Sequence, residues 1–145
     1  MVYENDGRLD GDAAQYACYC LSVAHYKPDI SDEEFNTAWE AAKSKKILDS
    51  GDVLERPQGF VDLLGYPLTY KDGHWAPDTP VDPATMHLVG EWQRTKDDGT
   101  VVTHFVQMDG KGTARENVFY DPIEGGSLTV KFGAFVSYRI FLIRG

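Results

Sequence analysis

The sequence predicts an α+β fold: helices first, then antiparallel strands packed beneath them. Three observations predict it. The first half carries helix-start signals followed by apolar residues at helical spacing. The second half carries short alternating runs joined by hairpin chemistry. The two textures do not interleave, which disfavours βαβ units and a parallel sheet. At 145 residues, the chain reads as a single domain, residues 1–145, long enough for a substantial core.

The first helix is expected to start from a cap at Asp10 or Asp12 and to run to about Tyr26, where Lys27-Pro28-Asp29 ends it. Ser31 through Glu34 forms a capping box, opening a second helix to about Leu48 with Phe35, Ala38, Trp39 and Ala42 on one face. Pro57 opens a third helix through Leu64. Residues 72–83, rich in proline and aspartate, read as an irregular loop. Strands are expected at Met86 to Arg94, Val101 to Met108, Asn117 to Asp121, Ser127 to Phe132 and Ser137 to Ile143. Lys96-Asp97-Asp98-Gly99 joins the first two, because Asp-Gly tolerates positive φ; Asp109-Gly110-Lys111-Gly112 is a second turn. The expected result is one antiparallel sheet of about five strands with the first helix against it.

Composition narrows the function classes. A hydrophobic fraction of 42% and an aromatic fraction of 12% fit an ordered globular chain. A net charge of -9 disfavours nucleic acid and anionic membrane as partners. Lys43, Lys45 and Lys46 read as the solvated end of a helix. No apolar run reaches membrane-spanning length, and the acidic, polar first residues do not make a signal peptide. Two cysteines diverging around one helix suit two free thiols and a reducing cytoplasm.

Chemistry concentrates in three places. In the first helix, Ala17, Cys20, Leu21 and Ala24 follow core spacing, so Cys20 reads as a buried small hydrophobe. Cys18 lies with Ser22 and His25 on a more polar edge. A helix opening just before Cys18 favours its thiolate through unpaired amides and the helix dipole. His104 shares a strand face with Val102, Val106 and Met108, expected to look toward the helices. Asp121, on the next strand, can accept from one ring nitrogen and leave the other free to act as base. Cys18, His104 and Asp121 are thus the parts of a nucleophilic thiol site. His25, His74 and His87 lack such context, and His74 and His87 read as loop or surface residues. No zinc or calcium motif is present, so no metal or cofactor is expected, although Cys18, His104 and Asp121 are in principle a zinc-binding set.

These residues resemble papain-like cysteine peptidases of the bacteriocin-leader-processing (double-glycine) type and their small bacterial and phage relatives. That family carries Cys-Gly-Pro-Thr-Ser-Leu-Ala at the nucleophile helix, Gly-His-Phe-Val on a strand and Asp-Pro after the next. Cys18-Tyr19-Cys20-Leu21-Ser22-Val23-Ala24, Thr103-His104-Phe105-Val106 and Tyr120-Asp121-Pro122 follow that order. Gly-Pro after the cysteine is missing, and Thr103 stands where the family has glycine. The resemblance implies a papain-like fold and cleavage of a peptide or isopeptide bond, with Cys18 as nucleophile, His104 as base and Asp121 as orienting group. It also implies an oxyanion glutamine, for which Gln15 is the candidate. Gln15 lies three residues before Cys18 and five before Cys20, which leaves Cys20 open as the alternative nucleophile. Trp92, Trp75 and Tyr19 are candidate cleft walls, with core or surface packing as the more ordinary role of each. A peptide or protein substrate is the implied partner. Two further readings stand beside hydrolysis: a catalytically inactive papain-like accessory module that binds another protein, and acyl transfer through the same thioester. Oligomeric state is not legible.

Overall fold

A computed structural model describes residues 17–49, 53–76, 79–108, 118–122 and 133–145. The described elements are α1 (Cys18–Ala24), α2 (Asp32–Ser44), α3 (Pro57–Leu64), β1 (Leu68–Trp75), β2 (Met86–Thr95), β3 (Val101–Met108), β4 (Val118–Tyr120) and β5 (Ala134–Ile143). The strands form one five-stranded sheet in the order β1-β5-β2-β3-β4, and every pairing is antiparallel. The α+β class and the antiparallel sheet are as expected; of the five expected strands four are among the described ones, and β1 is an additional strand. The candidate caps Asp10 and Asp12, the turn at Asp109 to Gly112 and the strand at Ser127 to Phe132 lie outside the described residues.

Local chemistry accounts for the helices. Ser31 Oγ accepts from the Glu34 amide at 3.1 Å, and Glu34 Oε1 accepts from the Ser31 amide at 3.3 Å. That box opens α2, and Phe35, Ala38, Trp39 and Ala42 are its buried face. The helix stops at Ser44, short of the expected Leu48, because Lys46 turns left-handed at φ 58° and the Ile47 amide bonds back to the Ala42 carbonyl. Removing the cap by Ser31→Ala is expected to cost about 1 kcal/mol of unfolding free energy, measured by urea denaturation. Pro57 sits in the first turn of α3, and Gly65 ends it in the left-handed region at φ 70°.

β1 corrects the start of the expected 72–83 loop, at residues 72–75; residues 76 and 79–83 are irregular as expected. The Lys71-Asp72-Gly73-His74 stretch is polar because, among the described strands, β1 is at the edge with β5 as its neighbour. Its register shifts between Lys71 and Trp75, around Gly73 at φ 112°. The hairpin between β2 and β3 forms as expected, with Gly99 at φ 86° and its amide on the Lys96 carbonyl at 2.9 Å.

Both faces of the sheet are buried. On the helix side, Leu21, Phe35, Trp39 and Phe60 pack against Leu68, Val89 and Phe141. On the other side, Leu88, Trp92, Val106, Met108, Tyr138 and Ile140 form a second cluster. β2 is therefore buried at four consecutive positions, His87 to Gly90, as a central strand should be. α1 lies against β3, and this contact assembles the site.

Candidate functional site: a thiol, an imidazole and a carboxylate

Cys18 is the first residue of α1, and Ala17 precedes it as the cap. The helix ends at Ala24, two residues before the expected Tyr26. Its start is the late one that favours a reactive thiol at Cys18. The phase argument separates the two thiols in space: Cys20 is 1% exposed within the main core, whereas Cys18 is half-buried. Neither is in a disulfide.

His104 comes from β3 opposite Trp92 and is 9% exposed. Its Nε2 lies 2.8 Å from Asp121 Oδ1, and the Cys18 side chain is near enough to favour the charged ring. With Nε2 on the carboxylate, Nδ1 is the nitrogen left for sulfur. Asp121 stands just past the end of β4 rather than on it, followed by buried Pro122. Burial opposes a charge on His104 most strongly, but hydrogen bonds to Asp121 and Cys18 and the charges on both outweigh it. The imidazole is pushed up to about 10 from its ordinary 6.5.

The route by which His104 reaches Cys18 differs from the expected one. Val106 and Met108 face the second cluster, not the helices. The helix-facing side of β3 is Phe105, whose ring stacks on Tyr19 at 4.5 Å, and Gln107, which meets His25. β4 pairs with β3 only at Gln107 and Met108, so His104 lies where that described pairing has ended. At this margin of the sheet its ring reaches both Cys18 and Asp121.

Other expectations fare differently. Gln15 lies outside the described residues, as does Asn117. Tyr19 and Trp92 are buried in the two cores, and Trp75 sits on β1 at the opposite edge of the sheet from β4, so these three do not wall a cleft at Cys18. His74 is exposed, but on a strand. His87 is not a surface residue: it is 3% exposed on β2, and alternation puts it on the helix side with Val89 and Glu91. Burial pushes it down to about 4.

Sequence reasoning also missed an ion pair on the helix side of the sheet. Arg139 Nη2 donates to Glu91 Oε1 at 3.1 Å, and Ser137 Oγ donates to the same oxygen at 2.8 Å. Burial works against the Glu91 charge, yet Ser137 and Arg139 hold its carboxyl below the usual range. The Arg139 guanidinium in turn lies 5.5 Å from the Phe105 ring and 6.0 Å from the Tyr19 ring. The residues following Cys18 and His104 are thus stacked on one another and backed by one cation. Glutamate on β2 diagonal to arginine on β5 becomes visible only once those strands are known to be neighbours.

Among the described residues, no group of three or more His, Cys, Asp or Glu side chains is arranged to hold a metal ion. No described helix is long and apolar enough to cross a membrane. An open groove of about 630 Å³ between α2 and α3, lined by Ile30, Glu34, Thr37, Leu63 and Tyr66 among others, includes none of Cys18, His104 and Asp121. In comparisons with known proteins, the chain matches no family model, no curated protein and no solved structure.

Proposed function

We propose that the chain is a papain-like thiol hydrolase that cleaves a peptide or isopeptide bond, with Cys18 as nucleophile, His104 as acid and base, and Asp121 as the group that orients the imidazole. One observation carries this reading: a half-buried thiol at a helix start and a carboxylate share one imidazole, with Asp121 on Nε2 at 2.8 Å. Two cysteines outside any disulfide suit a reducing compartment, and we place the protein in the cytoplasm on that ground.

In the resting site, the proton held on His104 Nδ1 faces sulfur, and Asp121 accepts from Nε2–H. The sulfur of Cys18 attacks the carbonyl carbon, forming a C–S bond and placing negative charge on the carbonyl oxygen. Cys18 is the first residue of α1, so no carbonyl within that described helix takes its amide, which suits the oxyanion. As the C–N bond breaks, the Nδ1 proton passes to the leaving amine. Neutral His104 then takes a proton from water, the hydroxyl oxygen attacks the thioester, and sulfur leaves as thiolate beside the regenerated imidazolium. Replacing water with an amine would turn hydrolysis into acyl transfer.

Iodoacetamide tests the reading without a known substrate. At pH 7, Cys18 is expected to be carboxamidomethylated at least about tenfold faster in the native chain than in His104→Ala, with Cys20 unmodified in both. Equal, slow labelling of Cys18 in the two proteins would favour the non-catalytic accessory module, for which the missing Gly-Pro and the net charge of -9 speak.

A further inference from the structure

Besides the Tyr19–Phe105 stack, α1 is joined to the sheet by a buried polar circuit that the chemistry above does not use. Ser22 Oγ, one turn after Cys18, shares its proton between the Cys18 carbonyl at 2.8 Å and the Phe105 carbonyl at 3.2 Å. The Ser22 carbonyl accepts from His87 Nε2 at 2.8 Å. Gln107 Nε2 lies 3.2 Å from His87 Nδ1, and Gln107 Oε1 meets His25 Nδ1. His25 is also stacked on Tyr120, ring centroids 3.9 Å apart. Ser22, His25 and His87 are all buried.

The circuit admits one assignment of protons. A carbonyl oxygen can only accept, so His87 Nε2 carries hydrogen and its neutral ring accepts at Nδ1. Gln107 must then turn its amide NH₂ to His87 and its oxygen to His25, whose Nδ1 must donate. Burial pushes both histidines down, which keeps both rings neutral as the assignment requires. Gln107 is the side chain that touches both rings. It stands on the strand that carries His104, and its two partners hold the helix that carries Cys18: His25 belongs to the turn ending α1, and His87 grips the Ser22 carbonyl.

We propose that Gln107 is a positioning residue of this site: through His25 and His87 it sets the register of α1 on β3, and so the distance between the Cys18 sulfur and the His104 ring. The inference rests on the thiol-hydrolase reading, because it is the Cys18–His104 encounter that the register serves. Displacements near 1 Å can cost on the order of 100-fold in a reacting pair, so losing the joint is felt even where the fold survives.

The test is the rate at which iodoacetamide modifies Cys18 of the full chain at pH 7, mapped by mass spectrometry, with native protein and His104→Ala as the two limits. Gln107→Leu removes both bonds at similar volume, and is expected to forfeit most of the native advantage, roughly tenfold, while near-ultraviolet circular dichroism stays native. His25→Leu breaks the same joint from the helix side and behaves likewise. His25→Asn keeps an amide donor where Nδ1 stood and is expected to retain most of the native rate. A merely structural role would lower the unfolding midpoint of both His25 variants and separate neither from the other in rate. Gln107→Leu labelled as fast as native protein overturns the inference while leaving the thiol site standing. Equal rates for His25→Leu and His25→Asn overturn it too, and that pair decides if Gln107→Leu does not fold. A native rate no higher than that of His104→Ala defeats the thiol-hydrolase reading itself, and this inference with it.

Discussion

Cys18→Ala and His104→Ala are each expected to lower turnover of a cleavable peptide or isopeptide bond on the order of 10³-fold or more, and the double variant to be no worse than either alone. The non-additivity follows from the division of labour. Without sulfur there is no thioester, and the imidazole has nothing to protonate across. Without the ring, the sulfur has no imidazolium beside it and the leaving amine has no acid. Cys20→Ala is the matched control: a thiol 1% exposed among Leu21, Val23 and Ala24 has no path to a carbonyl. Its expected effect is a small loss of stability. Single-turnover measurements on a fluorogenic substrate separate the two outcomes, because a Cys18→Ala protein with full turnover would remove Cys18 from the mechanism.

Asp121→Asn is expected to destabilise the fold in a pH-dependent way. His104 is raised in the folded chain to about 10 from 6.5. A raised basic group contributes stability that is fully present below its unfolded value and is lost as pH rises through its folded value. The His104 contribution is therefore complete below about pH 6.5, declines across the interval and is gone above about pH 10. Asp121 supplies the hydrogen bond and part of the charge behind it. Removing one partner of a largely buried pair costs about 3–5 kcal/mol, and partial exposure of Asp121 lowers that to about 2–4 kcal/mol near pH 6.5. At pH 10 and above the ring is neutral, needs no counter-ion, and the penalty should shrink to about 1 kcal/mol, that of one neutral hydrogen bond. Paired urea denaturations of the native chain and Asp121→Asn across this range give the difference directly. A penalty constant with pH would mean that His104 carries no charge at neutrality.

Much of the fold was legible because its signals are local. The capping box at Ser31, Pro57 at a helix start, Gly65 after its end, and Asp98-Gly99 in the hairpin each act within a turn of chain. Helical phase likewise told Cys18 from Cys20. What could not be read was long-range. β1 looks like a loop until β5 is placed beside it, and β5 joins the sheet between β1 and β2 from the far end of the chain. His87 looks like a surface residue until the Ser22 carbonyl and Gln107 arrive to satisfy it. Alternation along β3 correctly grouped Val106 with Met108 but could not say which face the helices cover. Trp92 and Tyr19 take the core packing expected of such rings rather than a cleft: aromatic rings suit either place, and burial decides between them.

The central claim is that the Cys18 sulfur and the Asp121 carboxylate meet on one imidazole. Following the His104 ring by ¹³C and ¹⁵N nuclear magnetic resonance from pH 5 to 11 tests it most directly. The account predicts an imidazolium that persists through pH 8 and titrates near 10, and that deprotonates at lower pH once Cys18 is capped with methyl methanethiosulfonate or replaced by alanine. A ring that titrates near 6.5 and ignores the state of Cys18 would contradict it.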